Sequence, residues 1–367
     1  MALAEAEHLS RSFDLTISVP EGPLRGRFAR YGTVIDGTVS LPLWGGSAGS
    51  WLRRLARTVR DSVRLARVIR RQDIRLVLTN SSVSVAPVLA GRLAAVPVIV
   101  HMRDVPASRL ASRVFRLHGR IAQTVIIITG GMRHFFKAKS RARIVQIPDG
   151  IELPGPRVGA PPPRSSSSAA EHPVRLCLIG GIDPRKGQDI AIEALAELKD
   201  RGVDADLDLV GREIDTEFAA SLRERANDLG VATRVTFVGE LADVPAHLRD
   251  VDIVIAPSRR EWTPLALMEA LALEKPVVAA NVGGVRDVVS DHQTGLLVPP
   301  EDPRRLADAV VELVTDPFEA SVMASNGRQS VEAGFSLTGT LSGVEQEVHH
   351  CLVAPARRKR KAPRRVL

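Results

Sequence analysis

The chain has 367 residues, of which 44% are hydrophobic and 25% are charged, a composition typical of a folded protein with about two domains. The sequence contains no run of about 18 apolar residues, no basic and apolar leader at its start, and only Cys177 and Cys351 as cysteines. These features exclude a transmembrane helix, a disulfide scaffold and a cysteine-rich zinc site, and we expect a cytoplasmic protein.

The net charge of +8 is distributed unevenly along the chain. Residues 1–150 carry 24 basic and 9 acidic side chains, residues 151–350 carry 19 and 33, and residues 357–365 carry 7 basic and no acidic ones. Such an asymmetry bears on binding partners more than on the fold. It leaves nucleic acid, an anionic membrane surface and an acidic substrate as candidate partners.

Short apolar runs alternate with helix-like stretches through the first 150 residues. The runs at 13–20, 74–80, 97–102, 124–130 and 143–150 are rich in β-branched residues and bounded by turn formers, as buried strands are. Strands that alternate with helices predict a parallel, doubly wound sheet. We therefore assign residues 1–153 to an N-terminal α/β domain.

A helix predicted over 51–71 places arginines along one face, at alternating spacings of four and three residues, with Leu55, Val59 and Ile69 on or near the other face. A second helix repeats the spacing. Such a face is either simply solvated or docks on an anionic membrane, where each basic residue contributes about 1 kcal/mol. Nucleic acid is less favoured, because the chain has few aromatic residues to stack on bases. The arginines are Arg53, Arg57, Arg60, Arg64, Arg67, Arg71, Arg109, Arg113, Arg116 and Arg120.

A segment rich in proline, serine and glycine at 154–173 predicts a linker. After it, the apolar runs at 174–180, 206–211, 234–239, 252–258, 276–281 and 295–299 alternate with amphipathic stretches, so residues 174–350 are expected to form a second α/β domain. Two such domains leave a cleft, where ligands commonly bind. The basic tail at 351–367 is expected to be disordered and to add a second membrane contact.

Two loops in the second domain carry residues suited to bind an anionic group. In the first loop, Arg185 and Lys186 follow a strand and precede a helix, as in a phosphate-binding turn. In the second loop, a helix starts near Pro264, where free amides and the helix dipole attract phosphate. Glu261 precedes this helix, and Glu269 lies within it.

The second loop and its helix resemble the signature of glycosyltransferase family 4, whose members are retaining, nucleotide-sugar-dependent enzymes of the GT-B architecture. The family pattern is P-S, then E-G-[FT]-[GP]-L-x-x-x-E-A, then a PVVA strand and a Gly-Gly turn. The first loop resembles the family's G-R-L-x-x-x-K-G, and 101–104 resembles its H-x-R-[DE]. The matching residues, within a resemblance over about 74–335, are Ser258, Glu261, Thr263, Pro264, Leu265, Glu269, Gly283, Gly284, Lys186, Gly187, His101 and Arg103.

The resemblance implies an α/β fold of the GT-B type, with two Rossmann-like, doubly wound domains that face a cleft. Lys186, Gly187 and the amides around Pro264 and Leu265 would then bind the donor diphosphate, and Glu269 would accept hydrogen bonds from the ribose. Breaking a sugar–phosphate bond builds charge on the leaving diphosphate, so hydrogen-bond donors held there accelerate the reaction. The remaining members of the implied donor-binding set are Arg185 and Thr263.

The resemblance also implies where the sugar and the acceptor lie. Glu261 would contact a hydroxyl of the donor sugar and His101 would lie near that sugar, so the expected catalytic residues are Glu261, His101 and Lys186. The residues expected to border the acceptor are Asn80, Ser81 and Arg103. The 147–152 turn would have a structural role.

The implied reaction moves a sugar from a nucleoside diphosphate sugar to a lipid-linked or saccharide acceptor, in the synthesis of a cell-envelope polysaccharide or glycolipid. The nucleotide sugar is a substrate, and we expect neither a cofactor nor a metal. The sequence at 204–206 looks like the D-x-D of metal-dependent transferases, but its place at a strand entry predicts an ordinary acidic turn. We expect a cytoplasmic enzyme, peripheral at the inner face of the membrane.

Two departures from the family pattern keep alternatives open. Gly181 stands where the family has arginine, so that Arg185 is the candidate to replace this cation. The family's first strand and glycine-rich loop have no counterpart, since the chain begins inside the helix that follows them. The alternatives are a weakly active or inactive GT-B subunit that binds sugar nucleotide or protein partners, and a GT-B sugar-nucleotide epimerase or hydrolase.

Overall fold

The computed structural model describes residues 1–37, 48–81, 83–105, 109–136, 140–155, 172–353 and 365–366. The chain forms two compact units: unit 1 combines Met1–Asp149 with Thr338–Leu367, and unit 2 comprises Gly150–Leu337. The linker predicted at 154–173 lies mostly outside the described residues. None of the helices within these ranges has the length and apolar character needed to cross a bilayer.

Within residues 1–149, unit 1 contains all five strands predicted for the first half, each within narrower bounds, and one strand that was not predicted. The additional strand, β2, has only four residues and lies beside a part of the chain outside the described residues. The elements are α1 (Ala2–Ser10), β1 (Asp14–Val19), α2 (Arg25–Phe28), β2 (Thr33–Asp36), α3 (Ala48–Arg71), β3 (Val77–Thr79), α4 (Val85–Ala94), β4 (Val98–Met102), α5 (Arg109–Ile121), β5 (Thr124–Ile127) and β6 (Arg143–Gln146).

The strands of unit 1 form two parallel sheets. In the sheet that contains β4, helices pack on both faces. Four strands pair in the order β3-β4-β5-β6, and β1 pairs with β2 in a second sheet. Within β4, Val98 and Val100 pack with Leu65 of α3, whereas Ile99 packs with Leu9 of α1. Because successive side chains of a strand point to opposite faces, His101 lies on the α1 face of the sheet.

Unit 2 is built on one six-stranded parallel sheet. Most of its strands are rich in valine, leucine and isoleucine, as strands buried on both faces are, whereas in β8 the partly buried Asp206 and Asp208 alternate with the buried Leu207 and Leu209. The elements are β7 (Val174–Ile179), α6 (Gln188–Asp200), β8 (Ala205–Val210), α7 (Thr216–Asp228), β9 (Val235–Gly239), α8 (Val244–Leu248), β10 (Ile253–Ala256), α9 (Leu265–Ala272), β11 (Val277–Ala280), α10 (Val285–Val288), β12 (Leu296–Val298), α11 (Pro303–Thr315) and α12 (Pro317–Gly334).

The strand order of this sheet, β12-β11-β10-β7-β8-β9, reverses direction at β7 and β10. These two strands pair directly, with Leu176 opposite Ile253 and Cys177 opposite Val254. In an open α/β sheet, ligands bind beyond the carboxyl ends of the strands at such a switch point. The topology therefore predicts a ligand site at the loops that follow β7 and β10.

The last helix, α13 (Leu337–Val353), corrects the predicted domain boundaries. The sequence placed 338–350 in the second domain and 351–353 in a disordered tail, but α13 packs almost entirely on unit 1. Val344, Val348 and Cys351 contact the core formed by Phe13 and Ile126, because their spacing puts one apolar stripe on the helix. The rest of the tail lies outside the described residues, except a short strand, β13 (Arg365–Val366).

The burial of α13 predicts that this helix stabilises unit 1. Replacing the fully buried Val348 in a Val348→Ala variant leaves a cavity, and we expect a loss of about 2 kcal/mol in the free energy of unfolding. Hydrogen exchange should accelerate in β4 and β5 and stay unchanged in β7 and β8. The control, Val353→Ala, truncates a side chain at the exposed end of the same helix and should change neither. Faster exchange in unit 2 instead would contradict this assignment.

Candidate functional site

Both loops singled out from the sequence lie at the switch point of unit 2. The loop after β7 contains a single helical turn, Pro184–Lys186, which Asp183 caps by accepting a hydrogen bond from the Arg185 amide at 2.8 Å. Gly187 then has a φ of +74°, and a Cβ atom there would collide with the carbonyl oxygen of Pro257 in the loop after β10. Glycine at this position therefore allows the two loops to pack against each other.

The loop after β10 is held from its other side by the turn that follows β11. The Gly284 amide donates to the carbonyl of Glu261 at 2.8 Å. Gly283 has a φ of +45°, and a Cβ atom there would collide with the same carbonyl oxygen. The Gly-Gly turn thus fixes the backbone at Glu261. This contact explains why the motif has glycines at 283 and 284.

Lys186 and Glu261 form an ion pair that joins the two loops. Lys186 Nζ lies 2.5 Å from Glu261 Oε2, and the other carboxylate oxygen accepts a hydrogen bond from the Trp262 amide at 3.0 Å. The exposed fractions of the two side chains are only 17% and 11%, so water screens their charges little. The structure therefore brings together two of the three predicted catalytic residues.

Arg185 also reaches this carboxylate. Its Nη1 lies 3.8 Å from Glu261 Oε2, and its Nη2 lies 3.4 Å from Asp183. At 181, where the family has arginine, a Cβ atom would collide with the end of the Ile214 side chain. The second cation at the site is thus Arg185, which comes from the same loop.

The start of α9 differs from the prediction in one respect. The Leu265 amide was expected to be available to a ligand, but it donates to the carbonyl of Thr263 at 2.8 Å. Proline at 264 has no N–H, and it precedes the first helical residue. The amides of the first turn that have no helical acceptor are therefore those of Ala266 and Leu267.

Glu269 lies in the second turn of α9. Its carboxylate is half-buried and has no hydrogen-bond or ion-pair partner among the residues that the structure describes. Burial raises the pKa of Glu269 above its ordinary value of 4.5. A carboxylate in this state can accept hydrogen bonds from a ligand without first breaking contacts within the protein.

In unit 1, the structure assembles a second cluster around His101. The imidazole is fully buried, and its Nδ1 lies 3.2 Å from Glu5 Oε1, while its Nε2 has no hydrogen-bond partner in the described parts of the chain. Arg103 bonds to Glu5 and places its Nε 3.3 Å from Asp149. Asn80 also bonds to Glu5, so His101, Arg103 and Asn80 lie in one cluster around this carboxylate.

Ser81 has a local role instead. Its hydroxyl accepts a hydrogen bond from the Val83 amide at 3.3 Å, which closes a turn after β3. Two residues of this cluster, Glu5 and Asp149, were not predicted from the sequence. Glu5 could have been noticed as an acid four residues before Leu9, on the apolar face of the first helix, where an ionised group needs a buried partner.

Burial alone would raise the pKa of Glu5, but its neighbours outweigh that effect. The hydrogen bond from His101, the charges of His101 and Arg103, and the nearby Asn80 together lower the pKa of Glu5 below its ordinary value. Glu5 is therefore a carboxylate at neutral pH. As the acceptor beside Nδ1, it holds a ring proton at that nitrogen, so that the neutral form of the imidazole has its lone pair on Nε2.

The acidic residues at 204–206 face a cation of their own chain. Arg234 contacts Asp204 at 2.5 Å and Asp206 at 3.0 Å, so both carboxylates are already paired. Within the described residues, no group of three or more histidine, cysteine, aspartate or glutamate side chains is arranged to hold a metal ion. These aspartates thus form an ion-paired turn.

The chain is similar to known proteins in its sequence and in its fold. The family model described as Glycosyl transferases group 1 matches residues 173–316. The GDP-mannose-dependent alpha-(1-6)-phosphatidylinositol monomannoside mannosyltransferase of Mycobacterium tuberculosis is 32% identical over an alignment of 292 residues that covers 74% of this chain and 74% of the relative. The alpha-D-kanosaminyltransferase of Streptomyces kanamyceticus is 32% identical over 175 residues, covering 46% of this chain and 45% of that protein.

Two solved structures have similar folds. HepE of Anabaena in complex with UDP has a TM-score of 0.76 at 21% identity, with 95% of each chain covered. A glycosyltransferase from Rickettsia africae has a TM-score of 0.78 at 17% identity, with 96% of this chain and 94% of that chain covered. The likeness extends over both units.

The raised pKa of Glu269 leads to a prediction about stability. Because the folded protein favours the protonated form, the ionised side chain destabilises the fold at any pH above the raised pKa. A Glu269→Gln variant should therefore unfold at a higher temperature than the parent at pH 7, and the difference should shrink as the pH falls toward 4. The control is Glu240→Gln, at an exposed position. Thermal unfolding across this pH range tests the prediction, and a variant less stable at pH 7 would contradict it.

Proposed function

The chain belongs to the group 1 glycosyltransferases and has the GT-B fold, and on that premise we propose that unit 2 binds the nucleotide-sugar donor at its switch point while unit 1 binds the acceptor. The single observation that supports this most strongly is the meeting of Lys186, Arg185 and Glu261 on two adjacent loops. Assignment to family 4 and retention at the anomeric carbon are parts of the same proposal.

The donor diphosphate lies between the two cations and the start of α9. Lys186 and Arg185 supply positive charge, and the amides of Ala266 and Leu267 supply hydrogen-bond donors at a helix N-terminus. Negative charge builds on the diphosphate as the sugar leaves, so these fixed groups stabilise the transition state more than the ground state. The proposal needs no metal ion and no cofactor, because the chain's own cations neutralise the leaving group.

Glu261 changes partners when the donor binds. In the structure it neutralises Lys186. A diphosphate carries more negative charge than one carboxylate and competes for Lys186 at the same place. The released carboxylate, still fixed through the Trp262 amide, can then accept a hydrogen bond from a sugar hydroxyl. Glu269 accepts hydrogen bonds from the ribose, since its carboxylate is half-buried and unpartnered among the described residues.

His101 presents a hydrogen-bond acceptor in unit 1. With its proton held at Nδ1 by Glu5, the unpartnered Nε2 can accept a hydrogen bond from a hydroxyl of the reacting sugar or of the acceptor. Arg103 and Asn80 complete this polar region. Glu5 acts through His101 and is a positioning residue.

The names of the relatives guide the choice of substrates. A relative that depends on GDP-mannose and acts on a phosphatidylinositol mannoside suggests a lipid-linked glycoside as acceptor. The fold neighbour bound to UDP makes a uridine diphosphate sugar a second candidate donor. We therefore take a nucleoside diphosphate hexose as donor and a glycolipid of the cell envelope as acceptor.

The test of this function is a panel of GDP- and UDP-sugars incubated with the protein, with and without a membrane lipid extract. Release of nucleoside diphosphate that requires the extract, unchanged in excess chelator, is the expected result. Conversion of the sugar nucleotide without extract would indicate a hydrolase or epimerase instead. Binding without release would indicate an inactive subunit, and loss of turnover with chelator would contradict the metal-free mechanism.

The exchange of partners at Glu261 predicts opposite effects of two substitutions. Lys186→Ala removes a charge-assisted contact to the diphosphate and should weaken the binding of free nucleoside diphosphate about tenfold or more. Glu261→Gln removes the competitor for Lys186 and should leave that affinity equal or higher, while turnover falls at least tenfold. Calorimetry measures both affinities. Lys199→Ala, an exposed lysine at the far end of α6, is the control. Equal losses of affinity in both variants would contradict the exchange.

The proposal places the enzyme at an anionic membrane surface, bound through the arginine-rich faces of α3 and α5. All six arginines predicted on α3 are exposed, and Leu55 and Val59, expected on the opposite face, are 44% and 53% exposed among them. Exposed apolar side chains between cations suit insertion at a lipid headgroup layer. On α5 the exposed arginines are Arg113, Arg116 and Arg120, and the side chain of Arg109 lies outside the described residues.

Reversing charge on α3 should abolish this binding. A variant with Arg53→Glu, Arg57→Glu and Arg60→Glu should lose flotation with phosphatidylglycerol-containing vesicles, because each cation contributes about 1 kcal/mol. The matched control reverses three exposed arginines of unit 2, Arg212, Arg249 and Arg304. The parent should bind anionic vesicles in a salt-sensitive way and ignore pure phosphatidylcholine. Equal binding by parent and α3 variant would contradict this docking surface.

A further inference from the structure

Arg259, in the loop after β10, has no role in the proposed function, yet its side chain is held in a network of hydrogen bonds. Its Nη1 donates to the carbonyl of Pro184 at 2.6 Å and to Asp189 Oδ1 at 2.9 Å. Its Nη2 donates to Asp189 Oδ2 at 2.7 Å, and its Nε donates to Glu301 Oε1 at 2.6 Å. These four bonds use most of the N–H groups of one guanidinium, so we expect Arg259 to act on its neighbours and not directly on a substrate.

The backbone of Arg259 contacts the same helical turn as its side chain. The Arg259 amide donates to the carbonyl of Arg185 at 2.9 Å, next to the Pro184 carbonyl that accepts from the guanidinium. Residue 259 therefore satisfies two successive carbonyl groups of the turn Pro184–Lys186. A helical turn of three residues makes few hydrogen bonds of its own, so its position depends on contacts of this kind from outside.

The base of the loop that carries this turn is held separately. Gln188, the first residue of α6, is fully buried, and its Nε2 donates to the carbonyl of Gly181 at 3.0 Å. This bond joins the two ends of the loop. The tip between them, which carries Arg185 and Lys186, is held from the neighbouring loop by Arg259. The two contacts therefore have different functions, and only Arg259 bonds to the residues that carry the cations.

Arg259 also neutralises two acids close to a site for an anion. Asp189 follows Lys186 by three positions and lies in the first turn of α6, and Glu301 follows β12. Without Arg259, the charge of Asp189 would attract the cations of the turn and repel a diphosphate. The hydrogen bond to Asp189 raises the pKa of Arg259 further above its ordinary value, so the guanidinium keeps its charge wherever the protein is folded.

We propose that Arg259 is a positioning residue, whose guanidinium holds the turn Pro184–Lys186 so that the side chains of Arg185 and Lys186 meet at the donor diphosphate. The inference rests on the proposed function, since the diphosphate is the ligand that these cations would bind, but the hold on the turn can be measured without a ligand. The planar guanidinium binds one carboxylate through two parallel bonds and still reaches a carbonyl and a second carboxylate. Lysine has a single nitrogen and cannot replace it.

The hold on the turn is tested first, by hydrogen exchange in the protein without ligand. In an Arg259→Ala variant, exchange in the peptide covering 183–190 should accelerate about tenfold, because the turn loses its side-chain contact, while exchange in 205–210 should not change. The matched control is Arg225→Ala, which removes another arginine bound to an acid of α6, Glu193, at 2.8 Å. Unchanged exchange in the Arg259 variant, or equal acceleration in both variants, would overturn the proposal.

The second test is calorimetry with GDP and UDP. Arg259→Ala and the milder Arg259→Lys should each lower the affinity for nucleoside diphosphate about tenfold, and Arg225→Ala should not change it. In an Arg185→Ala/Lys186→Ala background, Arg259→Ala should cause no further loss, because its effect passes through these two cations.

Full affinity in Arg259→Lys would show that charge alone matters, and a further tenfold loss in the Arg185→Ala/Lys186→Ala background would show direct contact with the ligand. Either result would overturn the positioning role. A parent protein that binds neither GDP nor UDP would contradict the proposed function instead, and the exchange measurement would still decide whether Arg259 holds the turn.

Discussion

The ion pair between Lys186 and Glu261 is the interaction on which the candidate site of unit 2 depends. It exists because the strand order reverses between β7 and β10, so that two loops far apart in sequence leave neighbouring strands at one sheet edge. Gly187 and Gly283 then let the backbones approach closely enough for the side chains to meet. With little water around it, the pair holds a cation and an anion at fixed positions, where a charged substrate can replace one of them.

A buried carboxylate in each unit has a shifted pKa, and the two shifts have opposite signs. Glu5 is deeply buried, yet His101 and Arg103 keep it ionised, so its charge serves to orient an imidazole. Glu269 has no such partner among the described residues, and burial raises its pKa. The first carboxylate is satisfied within the fold. The second destabilises the fold until a ligand donates hydrogen bonds to it, which is a common compromise between stability and function at binding sites.

The sequence was sufficient to predict which residues meet where they lie in short contiguous segments. The loops at 180–187 and 257–269 each carry their polar residues, turn glycines or helix start in one stretch, so Lys186 and Glu261 could be chosen as candidates before the fold was known, and the structure brings them together. Contacts between segments that are distant in the sequence could not be predicted in this way. Glu5 meets His101 only because α1 packs on β4, and α13 joins unit 1 because its apolar stripe fits a core formed earlier in the chain. The Leu265 amide was misjudged for a local reason, since a tight turn at Thr263 already satisfies it.

In the proposed function, a nucleoside diphosphate takes the place of Glu261 beside Lys186. The decisive experiment is a crystal structure of the protein soaked with GDP or UDP. We expect the diphosphate within hydrogen-bond distance of Lys186 Nζ and the amides of Ala266 and Leu267, the ribose hydroxyls on Glu269, and the Glu261 carboxylate released from Lys186. A nucleotide bound elsewhere in unit 2, with the Lys186–Glu261 ion pair intact, would contradict it.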